Sequence, residues 1–161
     1  MKRLWAPWRM KFVQSQDPVV DCVFCRVQAQ TNDTQNLIVF RGRTAFVILN
    51  RYPYTSGHLL VVANPHRPSL EDLDAEIRSE MIELATRGIR ILRKVYRCEA
   101  FNFGANIGEA AGAGIAGHVH LHVVPRWTGD TNFMSALAET RVLPEELDET
   151  YRRIQSAWNE T

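Results

Sequence analysis

The chain has 161 residues, 45% hydrophobic and 23% charged, with a formal net charge of +1. That size suits one soluble globular domain able to bury a core without disulfides. No segment approaches the roughly 20 apolar residues of a transmembrane helix, so no membrane partner is expected. The one basic cluster, "RILRKVYR" (90–97), falls in a helical pattern and reads as a solvated face, so no nucleic acid is expected either.

The opening "MKRLWAPWRMKFV" is basic and aromatic and lacks the continuous apolar stretch of a signal peptide. A cytoplasmic protein is expected. Residues 1–20 read as an arm whose Trp5 and Trp8 dock on the body or on a second subunit. Residues 21–161 read as a single domain with a C-terminal helical tail. Cys22 and Cys25 form "CVFC", a spacing that in a cytosolic chain points to metal or redox chemistry before a structural disulfide. Cys98 stands alone and reads as core packing.

"QTNDTQN" (30–36) is a polar turn region. "LIVF" (37–40) and "TAFVILN" (44–50) are β-branched runs split by "RGR", a hairpin whose second strand is buried on both faces. "HLLVVAN" (58–64) is a third strand, stopped by Pro65. From residue 68 the period changes. Leu70, Leu73, Ile77, Met81, Leu84, Ile91, Leu92 and Val95 recur at helical steps, predicting one long amphipathic helix with Ser69 and Asp72 at its start. "AFNFGAN" (100–106) and "HVHLHVVPR" (118–126) alternate as strands, the last ended by Pro125. From Pro144 a final helix is expected. The sum is α+β: about five strands in an antiparallel sheet, one long central helix and a C-terminal helix.

Three of the five histidines sit at His118, His120 and His122. On a strand these share one face, with Val119, Leu121 and Val123 on the other, turned to the core. That face reads as a groove or cleft wall. It admits three readings: a merely polar strand face, a three-histidine catalytic metal site, or a nucleophilic histidine with neighbours that orient it. Gly108, Gly112, Gly114 and Gly117 precede it and could turn backbone N–H groups toward an anion, which favours a phosphate at the site. His58 and His66 flank the third strand.

"HVHLHVV", "GHLLVVANPH" (57–66) and "CVFC" together resemble the histidine triad superfamily of nucleotide hydrolases and transferases. "LNRYPYTSGHLLVV", "AGAGIAGHVHLHVVPRW", "GDTNFM" (129–134) and the arm "WAPWRMKFV" resemble its diadenosine tetraphosphate phosphorylase branch. The resemblance implies a histidine-triad fold and a covalent nucleotidyl intermediate on His120. It implies that His122 and His58 contact phosphoryl oxygens or hold the site. Asn50 would bind the ribose hydroxyls and Asn106 a phosphate, with Gly112 and Gly114 supplying backbone N–H groups. Trp127 would stack on a second base or ribose, or pack as a core or dimer-interface aromatic. Where many hydrolase members carry Gln and Ser or Thr, this chain has Gly114 and Ile115, which fits the phosphorylase branch better.

The same resemblance implies a structural zinc on Cys22, Cys25, His66 and His118, the alternative being cysteines that simply pack. No organic cofactor is implied. The partners implied are a diadenosine polyphosphate, inorganic phosphate and a second copy of the chain. Water as acceptor, or a zinc-stabilised nucleotide-binding module without turnover, are the other functions compatible with these residues.

Overall fold

The computed structural model describes residues 22–130 and 145–160. The arm at 1–20, Pro144 and most of "GDTNFM" lie outside the described residues. In chain order the elements are α1 (Val23–Ala29), α2 (Asp33–Asn36), β1 (Ile38–Arg41), β2 (Ala45–Leu49) and β3 (Leu59–Ala63). Then come α3 (Ala75–Tyr96), β4 (Ala100–Gly104), β5 (His120–Arg126) and α4 (Leu147–Asn159). The sheet runs β1-β2-β3-β5-β4 and every neighbouring pair is antiparallel. The expected α+β architecture, five strands with one long helix and a C-terminal helix, is what the chain adopts.

Register sorts the side chains. Val61 pairs with Leu121 and Leu59 with Val123, and these point to one face. A Cβ on Gly88 of α3 would lie 3.2 Å from Leu59 Cδ1, so that face is the one α3 covers. Met81, Leu84, Ala85, Gly88, Ile91 and Leu92 form its buried stripe at steps of three and four. Trp158 and Tyr151 of α4 complete this layer, with Tyr151 Oη donating to the Ile38 carbonyl at 3.1 Å. Val62 pairs with His120 and Leu60 with His122, so Leu60, Val62 and the histidines share the opposite face.

Four local features differ from the sequence reading. "CVFC" opens the helix α1, and the polar stretch before β1 contains the short helix α2. The long helix starts at Ala75 after Asp74, while Ser69 heads a separate 3-10 turn at Leu70–Asp72. Ser69 Oγ bonds the Glu71 carboxylate instead of capping a helix, a local competition typical of serine. β5 starts at His120, two residues after the expected start at His118, and continues through Pro125 to Arg126. Its pairing with β3 ends at Val123, so the missing proline N–H falls where β4 alone flanks the strand.

The β1–β2 hairpin is tied to α3 by one carboxylate. Glu80 accepts the N–H groups of Arg43 and Thr44 at 2.8 and 2.7 Å, and the Thr44 hydroxyl as well. A Cβ at Gly42 would meet Glu80 Oε1 at 2.5 Å and the Ala45 carbonyl at 2.8 Å, so the turn needs glycine for this approach. Burial works against ionisation of Glu80, but the Thr44 hydroxyl, the two N–H groups and the Arg43 charge outweigh it and hold the carboxyl below its usual value. Glu80→Gln should therefore cost about 1.5–3 kcal/mol at pH 7. A lowered folded pKa means the wild-type advantage is full above about 4.5 and shrinks as pH falls through the folded value. Urea melts at pH 7 and pH 3 check this: an equal gap between the two proteins at both would refute it.

Candidate active site and metal centre

β5 carries His120 and His122, and His118 lies just before it; the alternation buries Val119, Leu121 and Val123. The surroundings of the three histidines differ sharply. His118 is fully buried, His120 is 6% exposed and His122 is half-buried. The expected groove wall is thus a covered face that opens toward His122.

His118 Nε2 donates to the Ala63 carbonyl at 2.8 Å, which leaves Nδ1 as the bare nitrogen. That nitrogen lies 3.3 Å from Cys22 Sγ and 3.6 Å from Cys25 Sγ. His66 Nδ1 is 3.3 Å from Cys25 Sγ. The candidate ligand atoms of Cys22, Cys25, His66 and His118 all lie within 4.8 Å of one another. Tetrahedral coordination with bonds of about 2.0–2.3 Å spaces its ligands by roughly 3.3–3.8 Å, so these four residues fit a closed Cys2His2 metal site. The Ala63 carbonyl orients His118 as outer-shell acceptors commonly do. Burial opposes ionisation of Cys22, but the His118 hydrogen bond, the N–H groups of Cys25 and Phe24 and the His118 charge prevail and bring its thiol to about 6. Burial and the Cys22 sulfur push the Cys25 thiol up. One readily formed thiolate beside a second thiol and two imidazoles is a donor set for a soft divalent metal.

His120 is set differently. Its Nδ1 donates to the His118 carbonyl at 2.8 Å, which leaves Nε2 with a lone pair. Burial pushes the imidazole below its ordinary value; the His118 carbonyl raises it in part, and the His118 ring lowers it. The result is an imidazole biased toward its neutral form, with Nε2 left as the nitrogen free of the proton. The Phe24 ring packs 5.0 Å from His120 and 5.5 Å from His118. The sequence marked Phe24 only as an apolar residue inside the cysteine pair.

His58 is fully buried, with Nε2 2.9 Å from His122 Nδ1. It stands behind His122 rather than at the surface. Asn50, expected at the ribose, instead turns its amide inward: Nδ2 donates to His58 Nδ1 at 3.2 Å and Oδ1 accepts the Tyr52 N–H at 3.0 Å. Tyr54 packs its ring against His58 and His122, a contact that nothing in the loop "RYPYTSG" signalled beyond an aromatic among turn residues. Asn106 lies half-buried just past β4, whose last residue Gly104 pairs with His122, so the chain there leads on toward His120. Gly112 has φ +83° and gives its N–H to the Glu109 carbonyl at 2.8 Å, closing its own turn rather than facing an anion. Gly114 and Ile115 follow, half-buried, in the bend before Gly117. Trp127 packs on the core, and its Nε1 donates to the Tyr96 carbonyl at 3.3 Å, the geometry of a structural aromatic.

The HIT domain family model matches residues 31–129. The chain belongs to the HIT domain family. It is 36% identical over 166 residues to a Mycobacterium tuberculosis protein named AP-4-A phosphorylase, with 98% of this chain and 85% of that one covered. A Zn-bound histidine triad family protein from Mycobacterium smegmatis superposes with TM-score 0.71 at 30% identity, over 87% of this chain and 94% of that one. Diadenosine triphosphate hydrolase from Plasmodium falciparum shares the HIT fold, with TM-score 0.65 at 21% identity over 79% of each chain. Among the described residues, no helix is long and apolar enough to cross a membrane.

The lowered pKa of His120 has a direct readout. At pH 6.5 an ordinary histidine is half protonated. His120 should be less protonated there than an ordinary histidine, with the proton of its neutral form on Nδ1, in 15N spectra of the histidine rings. Half or more imidazolium for His120 at that pH would contradict the arrangement.

Proposed function

We propose that this HIT enzyme transfers a nucleotidyl group from a diadenosine polyphosphate to inorganic phosphate, with His120 as the nucleophile. The observation that carries the proposal is the His120 Nδ1–H bond to the His118 carbonyl, which aims a neutral Nε2 lone pair outward from a nearly buried ring. Nε2 would attack the α-phosphorus of diadenosine tetraphosphate, and the bridging P–O bond would break to release ATP. A phosphate oxygen would then attack the adenylyl phosphorus, break the N–P bond and release ADP. Catalysis would rest on positioning and on charge stabilisation in the transition state. Gly114 and Ile115 offer no side-chain hydroxyl or amide to an amine leaving group, which favours this reaction over phosphoramidase chemistry.

Cys22, Cys25, His66 and His118 would hold zinc, which would act as a fixed cross-link between α1 and the sheet. The free thiols of Cys22 and Cys25 suit a reducing compartment, supporting a cytoplasmic location. The β4 edge, with Phe103 49% exposed and Ile107 41% exposed, is the surface on which two copies would join their sheets into a dimer.

Two measurements test these readings. Diadenosine tetraphosphate should give ADP plus ATP only with phosphate present, and His120→Ala should lower kcat by at least about 10³-fold. AMP formed without phosphate would replace phosphorolysis by hydrolysis, and binding without turnover would leave a nucleotide-binding module. Protein purified without added metal should contain about one zinc per chain. A zinc held at ~100 times its Kd adds about 2.7 kcal/mol. Cys22→Ser with Cys25→Ser should therefore lose the metal and roughly 5–10 °C in Tm. Wild-type protein with less than about a tenth of a zinc per chain would overturn the metal assignment.

A further inference from the structure

The two ends of α1 are held by different means. At its C-terminal end Arg41 donates to the Gln28 carbonyl at 2.8 Å and to the Gln30 carbonyl at 2.7 Å, with Asp33 paired to the same guanidinium at 2.8 Å. At its N-terminal end the ties are Phe24, packed on the His118 and His120 rings, and the sulfurs of Cys22 and Cys25. The Cys22 side chain does not cap the helix, and seven residues are too few to hold a helix alone. Positions three apart share one side of a helical turn, and the sulfurs of this pair lie within 4.8 Å of each other. The pair can therefore make either of two kinds of bond. As metal ligands, Cys22 and Cys25 tie α1 to His118 and His66, which are 96 and 41 residues away in sequence. As a disulfide they close only the loop 22–25 and tie α1 to itself.

We infer that Cys22 and Cys25 form a redox switch, in which a hydroperoxide turns the pair from metal ligands into a disulfide, frees the start of α1 and uncovers His120. The inference rests on the zinc assignment above. His66 is exposed and His118 fully buried, so the Cys25–His66 side of the cluster is the side open to solvent. A small peroxide meets Cys25 first. The Cys25 thiolate attacks one peroxide oxygen, the O–O bond breaks, and the departing oxygen takes a proton and leaves as water or an alcohol. Cys25 is then a sulfenic acid. The Cys22 thiolate attacks the Cys25 sulfur, the S–O bond breaks, and the oxygen takes a second proton and leaves as water. Two electrons have passed from the two sulfurs to the peroxide. Disulfide sulfurs are no longer thiolates, and His66 with His118 make only half of a four-ligand site, so zinc leaves. α1 keeps Arg41 at one end and just Phe24 and Val27 in the core. Cys98 is 4% exposed and takes no part.

The test uses the full chain loaded with zinc and freed of reductant, with hydrogen peroxide as the probe. Zinc should pass to a chromogenic chelator in step with the loss of two of the three thiols, and the intact mass should fall by two hydrogens. Amides at residues 23–26 should exchange at least about tenfold faster in the oxidised protein, with those of β2 and β3 unchanged. Turnover of diadenosine tetraphosphate should fall by at least about tenfold, and dithiothreitol with zinc should restore it. Cys98→Ala should respond as the wild type does. Zinc and all three thiols kept under peroxide that oxidises free cysteine would overturn the inference. So would a disulfide that leaves α1 exchange unchanged, or oxidation that stops at a sulfinic acid on Cys25. Protein that binds no zinc before peroxide is added fails the metal assignment, and the switch with it. Zinc, thiols and exchange are read without substrate, so a failure of the phosphorolysis reading leaves the switch standing.

Discussion

The hydrogen bond from His120 Nδ1 to the His118 carbonyl is the constraint around which this molecule is organised. The acceptor residue lies just before β5 and the donor opens it, so the bond holds only while the chain enters the strand extended. β3 pairs with β5 from His120, β4 from His122, and the Val119 N–H donates to the Arg67 carbonyl at 2.7 Å. His118 has a second engagement, because its ring is pinned by the Ala63 carbonyl and turned to the two cysteines. One residue thus joins the Cys/His cluster through its side chain to His120 through its backbone. Phe24, placed between the cysteines in sequence, packs on both rings. The cluster and His120 are mechanically a single unit. α1 is only seven residues long, too short to be stable by itself, and it depends on these contacts for its place.

A period of two over His118, His120 and His122 gives three imidazoles, yet each is held by a different partner. A carbonyl of β3 takes the Nε2 proton of His118. The carbonyl of His118, just before β5, takes the Nδ1 proton of His120. His58 Nε2 lies 2.9 Å from Nδ1 of His122. The surroundings of each ring are decided by that partner and by nothing in the histidine itself. Three like side chains at equal spacing are thus held in three different ways.

Strand alternation and helical spacing made the architecture legible. The all-apolar run of β2 is buried throughout, and the three- and four-residue steps of α3 point where the sequence put them. The pairing of "CVFC" with His66 and His118 followed from the resemblance, and the chain brings those four residues together. What sequence did not reveal has physical causes. α1 offers just Phe24 and Val27 to the core, too few positions to establish a period. Ser69 and Asp74 are both plausible helix starts, and only the three-dimensional path of the Ser69 hydroxyl separates them. Asn50 and Gly112 were expected to contact substrate and Trp127 to stack on it or pack. The structure shows an intramolecular partner for each polar group, a matter of backbone placement that composition cannot express.

Burial explains why so many inward partners are needed. Removing His120 from water disfavours its imidazolium and favours the neutral form. The same dryness makes every unmatched polar atom costly, typically by about 1–3 kcal/mol. A buried histidine must then find a partner for its inner nitrogen, and the partner fixes its tautomer as a by-product. Here those partners are in large part main-chain groups: the carbonyls of Ala63 and His118 and the N–H of Tyr54. They belong to positions whose side chains have no chemistry to offer the site in the case of Ala63, or a different task in the case of His118. Substituting Ala63 would remove no hydrogen bond, yet a shift of its backbone would disturb the Cys/His cluster and, through His118, His120. The functional unit is accordingly larger than its histidines and cysteines, and it includes the register of the sheet.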